Sequence, residues 1–124
     1  MNIPKTHQAV MPYLIVNDAS KLIDFAKKVF GATLNFQELR DDTKKIRHAE
    51  IQIDESTIML ADATEEWKQQ TANLFIYVDD ADQACESALD NGAKSLMELS
   101  NQEYGRTCGV TDPVGNVWWI TSVK

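Results

Sequence analysis

Hydrophobic and polar residues along this chain fall into one order that occurs twice. The first copy opens with an apolar run at residues 11–16, closed by Asn17 and Asp18. Leu22, Phe25, Ala26, Val29 and Phe30 follow at the i, i+3, i+4, i+7, i+8 spacing of one helical face, and Gly31 stops the helix. The order then returns: an apolar run at 74–78, Asp79-Asp80, then Ala81, Ala84, Cys85, Ala88 and Leu89 at the same spacing, and Gly92. Val16 answers to Val78, Asp18 to Asp80, Ala19 to Ala81 and Gly31-Ala32 to Gly92-Ala93. Each junction carries an aspartate where a side-chain oxygen caps the first helical turn.

After each helix the period shortens towards two, the spacing of strands buried on one face. In the first half, residues 33–39, 46–53 and 57–61 read as strands, with a turn at Asp54-Glu55-Ser56. In the second, 94–99, 106–111 and 116–122 do so, with Asp112-Pro113-Val114-Gly115 as the last turn. Each copy is strand, helix, three strands, a βαβββ module of an α+β fold. We expect a single domain over residues 1–124, with modules at 9–62 and 73–122. Residues 63–72, polar except for Trp67 and small residues, read as the linker.

Composition agrees with one domain. The chain has 124 residues, 44% apolar and 25% charged, enough to bury a core without a disulfide or metal scaffold. Two cysteines, Cys85 and Cys108, form no CxxC pair and are too few for a secreted disulfide framework. They favour a reducing compartment, with both thiols inert in the helix layer. A formal net charge of −7 repels a phosphate backbone, so we expect no nucleic-acid partner. The first eight residues lack an apolar leader and no run approaches a membrane span, which points to a cytoplasmic protein with no membrane partner.

One helix covers one face of a four-stranded sheet, so the other face stays open for function. Alternation assigns Ala49, Ile51 and Ile53 to the helix side and His48, Glu50 and Gln52 to the open side. By the same rule Met11, Tyr13, Ile15, Met59, Asn73, Phe75, Tyr77 and Trp119 face away from the helices, while Trp118 belongs to the core.

The segments Tyr13-Leu14-Ile15-Val16-Asn17-Asp18, Phe30-Gly31-Ala32, His48-Ala49-Glu50, Met59-Leu60-Ala61-Asp62, Tyr104-Gly105-Arg106 and Asp112-Pro113-Val114-Gly115-Asn116-Val117-Trp118 carry a family likeness. Over almost its whole length the chain resembles the vicinal oxygen chelate superfamily: glyoxalase I, extradiol dioxygenases and the bleomycin and fosfomycin resistance proteins. Within it, the PhnB-like group is most similar. The resemblance implies two βαβββ modules of the glyoxalase/bleomycin resistance fold curling around a shared cavity, and a homodimer, in some members with exchanged modules. Enzymes of the superfamily hold a divalent metal on four side chains, typically two histidines and two glutamates. The corresponding positions here are Met11, Met59, Asn73 and Trp119, poor ligands for a borderline cation, so we expect neither the family metal nor another cofactor.

The remaining polar candidates are few. His48 and Glu50 share one face of a strand; such a pair is ordinarily structural, and the alternative is an acid–base or metal pair. Asp62 reads as a cap on the linker or a ligand contact, and His7 as solvated. Arg106 is either an anion clamp at the cavity mouth or a surface ion pair. Tyr13, Phe75, Tyr77 and Trp119, with Met11 and Met59, line an apolar pocket or fill the curl of the sheet. Two functions follow. The first is a non-catalytic binder sequestering a small molecule against Met11, Tyr13, His48, Glu50, Met59, Asn73, Phe75, Tyr77, Arg106 and Trp119. The second is a glyoxalase-like lyase or isomerase using His48 and Glu50.

Overall fold

The computed structural model describes residues 1–41 and 43–123. The chain runs β1 (Tyr13–Val16), α1 (Ala19–Phe30), β2 (Thr33–Leu39), β3 (Ile46–Ile53), β4 (Ser56–Asp62), β5 (Asn73–Tyr77), α2 (Ala81–Asp90), β6 (Lys94–Gln102), β7 (Gly105–Thr111) and β8 (Val117–Ser122). Two four-stranded sheets result, ordered β1-β4-β3-β2 and β5-β8-β7-β6. In each, the first strand runs parallel to the last of its module and the other pairings are antiparallel. The twofold repeat of the sequence is therefore a twofold repeat of topology.

Local chemistry explains the junctions. Asp18 accepts the Lys21 amide at 3.2 Å and Asp80 the Gln83 amide at 3.1 Å, so each capping aspartate satisfies a free donor of its helix. Gly31 ends α1 at φ 68°, left-handed, with Ala32 N donating to Ala26 O at 3.2 Å.

Helices α1 and α2 pack against each other, and one hydrophobic core takes residues from both modules. Leu22, Phe25 and Ala26 of α1 and Ala84, Cys85 and Ala88 of α2 meet the helix-side strand residues, among them Ile51, Leu60, Val110 and Ile120. Phe30 of α1 lies 4.8 Å, ring to ring, from Trp118 of β8, tying the first module to the second. The sheets thus flank a shared helix layer and their other faces turn outward. The stretch between modules lies along β1: Gln70 bridges to Ile15 and the Asn17 amide donates to Gln69 at 2.7 Å.

One expectation is overturned inside this core. Cys85 and Cys108 are bonded to each other as a disulfide, their Cα atoms 6.6 Å apart. Both point into the helix layer, as the spacing required, but α2 crosses β7 so that the two side chains meet. No free cysteine remains among the described residues.

Candidate functional site

On the outward face of the second sheet, β8 and β7 are paired so that Trp119 stands opposite Gly109. A side chain at Gly109 would collide with the indole, since a Cβ placed there lies 2.5 Å from Trp119 Cζ3. The glycine is what lets the ring lie flat across the sheet. On the other side Trp119 Nε1 donates to Asn73 Oδ1 of β5 at 3.1 Å, which fixes the ring's direction. Phe75 and Tyr77 stand beside it, ring centroids 5.3 Å apart, with Tyr104 5.9 Å from Phe75. Phe75, Tyr77 and Tyr104 are each half or more exposed. Four aromatic rings thus sit on an open face, in place of the alternating polar residues that usually cover one.

The outward face of the first sheet is built differently. His48 Nε2 and Glu50 Oε2 are 2.9 Å apart, and the other carboxylate oxygen lies 2.8 Å from Nε2 of His7. His7, expected in solvent, is instead held against Glu50 with a side chain only 15% exposed. Its segment explains this. Gln8 pairs with both backbone groups of Thr57, at 2.8 and 3.2 Å, and the Thr57 hydroxyl donates to Thr6 O, so residues 6–8 are strapped onto β4. His48 Nδ1 faces the Tyr13 hydroxyl at 3.3 Å, and its ring lies between Tyr13 and Phe36, at 5.5 and 5.8 Å. Burial works to raise the Glu50 pKa, but the hydrogen bonds and positive charge of His48 and His7 outweigh it and hold the carboxyl below its ordinary value.

This carboxylate predicts a pH dependence. A group whose folded-state pKa is depressed stabilises above its unfolded pKa and loses that contribution as pH falls through the folded value. Wild-type protein should therefore lose more unfolding free energy than Glu50→Gln between about pH 5 and pH 3. Equal slopes in urea titrations across that range would show that the two histidines do not favour the ionised form.

The other polar candidates lie elsewhere. Asp62 points inward and caps neither the linker nor a ligand: its oxygens accept the amides of Ala19 at 2.9 Å and Ile46 at 2.6 Å, joining α1 to β3. It shares the parity of Leu60, whose side chain is fully buried. Arg106 forms an exposed two-pronged ion pair with Asp82 of α2 and also donates to Asn101. That pairing holds the Asp82 pKa down. Trp67 is largely exposed. Two grooves, about 750 and 670 Å³, open at the seam between the modules and not on either outward face.

The four positions of the superfamily's metal do not fit a metal here. Met11 Sδ accepts the Gln8 amide, Met59 offers only a thioether, and Trp119 has a donor N–H aimed at the Asn73 oxygen. Among the described residues no group of three His, Cys, Asp or Glu side chains is arranged to hold an ion. Among the described residues no helix is long and apolar enough to cross a membrane.

Comparison with known proteins agrees with this architecture. The model of the Glyoxalase/Bleomycin resistance protein/Dioxygenase superfamily matches residues 6–120. An uncharacterized Mycobacterium bovis protein, Mb0911c, is 31% identical over 122 residues, which cover 89% of this chain and 80% of that protein. Among solved structures, TioX from Micromonospora sp. ML1 superposes with a TM-score of 0.73 at 22% identity, covering 94% of this chain and 97% of its own. TnmS3, an antibiotic binding protein from Streptomyces sp. CB03234, does so with a TM-score of 0.72 at 21% identity, covering 95% and 100%.

Proposed function

This chain belongs to the Glyoxalase/Bleomycin resistance protein/Dioxygenase superfamily, and from that premise we propose that it binds and sequesters a small planar molecule without the superfamily's metal. The observation that carries the reading is the state of Asn73 and Trp119, two of the four family metal positions. They are bonded to each other, and the indole they fix lies flat over Gly109 as a stacking surface. Its neighbours Phe75, Tyr77 and Tyr104 extend that surface. A neighbour of the same fold being an antibiotic binding protein supports the reading.

A stacking surface open to water holds a ligand weakly, and sequestration requires a second wall. The outward faces of the two sheets point away from each other in one chain. We therefore propose that two copies associate as a homodimer, with the His48 face of one sheet closing over the Trp119 face of its partner.

Calorimetry with planar cationic and anionic dyes tests the reading. Trp119→Ala should weaken every detected ligand by about tenfold, the loss of one well-formed aromatic contact. Zinc or nickel should add no more than about 1 kcal/mol to thermal stability. Ligands indifferent to Trp119, or a tightly held stoichiometric ion, would overturn it. The second reading, acid–base turnover by His48 and Glu50, is favoured by the hydrogen bonds that orient them. It requires turnover of a methylglyoxal–thiol adduct that His48→Ala abolishes.

A further inference from the structure

We infer that the outward face of the β1-β4-β3-β2 sheet is a proton-accepting subsite for phenols: His48 takes the hydroxyl proton of a planar aromatic ligand. The inference rests on the binding function proposed above and narrows its ligand class.

The tautomers follow from hydrogen-bond chemistry. An ionised carboxylate can only accept, and both Glu50 oxygens face an imidazole Nε2, at 2.8 and 2.9 Å. Both histidines therefore carry their protons on Nε2 when neutral, and His48 Nδ1 presents a bare lone pair. The chain's own phenol already faces that lone pair: the Tyr13 hydroxyl stands 3.3 Å from it, a long bond at an exposed position. A phenolic oxygen thus reaches Nδ1 without rearrangement of the sheet. A ligand phenol more acidic than tyrosine displaces the Tyr13 hydroxyl, and its ring finds Phe36 and Tyr13 on either side of the imidazole.

The transfer is balanced within the site. The ligand O–H bond breaks, the proton forms an N–H bond at Nδ1, and the products are a phenolate and an imidazolium whose Nε2–H remains on Glu50. The groups that face His48 come from every strand packed against it. Glu50 lies beside it on β3, Glu38 of β2 stands directly across from it, His7 meets it only through Glu50, Tyr13 comes from β1, and β4 contributes the neutral Met59.

The probe is 4-nitrophenol, whose phenolate absorbs apart from the acid, with 4-nitroanisole as the analogue lacking the proton. Near pH 6, bound 4-nitrophenol should show an ionised-to-neutral ratio about tenfold above that of the free probe. His48→Gln and Glu50→Gln should abolish the increase. Tyr13→Phe, which removes the internal competitor, should tighten 4-nitrophenol several-fold, a gain that structural damage would not produce. A bound probe with the solution ratio, a ratio retained in His48→Gln, or equal affinity for 4-nitroanisole overturns the inference and leaves the Trp119 reading intact. Absence of nitrophenol binding by calorimetry also overturns it. The wider reading falls only if the dye panel is indifferent to Trp119.

Discussion

Replacing Asp112 with alanine should destabilise the protein by about 4 kcal/mol, well above the usual effect of a single substitution. This carboxylate is buried and accepts four hydrogen bonds: from Val114 N at 2.9 Å, Asn116 N and Asn116 Nδ2 at 3.0 Å, and Trp118 Nε1 at 2.8 Å. Alanine would leave those donors unpaired away from water, and each buried unpaired donor costs about 1–3 kcal/mol before relaxation. The damage would also spread. Asn116 passes the constraint to the inter-module stretch, its Oδ1 accepting the Ala72 amide at 3.0 Å while Val117 N donates to Ala72 O at 2.9 Å. Trp118 passes it to α1 through Phe30. Asp112→Asn should fall between the two, because the amide keeps one acceptor and turns its NH2 towards two other donors. Urea unfolding monitored by tryptophan fluorescence reads both variants; a loss below 1 kcal/mol for the alanine variant would mean that the turn is held by its backbone alone.

The same motif shows what a sequence reveals and what it withholds. The two modules were legible because helix and strand periods are local, and because capping aspartates and stop glycines sit at fixed offsets from them. The inward positions of Trp118 and Cys108 and the outward positions of Tyr13, His48, Phe75 and Trp119 followed from strand parity alone. Parity gives the side of a sheet, not the partner on it. The Asp112 turn was visible as a turn, yet nothing local said that its side chain gathers four donors. His7 went unrecognised because it precedes β1 in a segment without period and meets Glu50 across 43 positions. Asp62 was read as a cap on the linker or a ligand contact, although it shares the parity of Leu60, which would have placed it inward. Gly109 carried a usable signal: a glycine amid a strand marks a close approach, and register with β8 names Trp119 as the side chain that makes it.

Removing the disulfide is the other change with a large expected effect. Cys85→Ala/Cys108→Ala should destabilise the protein by about 3 kcal/mol, the chain-entropy value for a loop of this order. The bond closes 23 positions of sequence, from the middle of α2 through β6 into β7. Without it the unfolded second half gains freedom, while in the folded state α2 keeps Ala81, Ala84 and Ala88, all small, as its buried contacts. A helix face of alanines buries little apolar area, roughly one methyl each, so the covalent link supplies what the first module obtains from Leu22, Ile23 and Phe25. Hydrogen exchange should therefore accelerate in α2, β6 and β7 of the double variant and stay slow in α1 and β3. Because both sulfurs are buried, reductant should act on folded wild type only after α2 opens, and thiol titration of unreduced, denatured protein should find none free. Two free thiols in that titration, or a double variant within 1 kcal/mol of wild type, would place the stability of the second module in its packing instead.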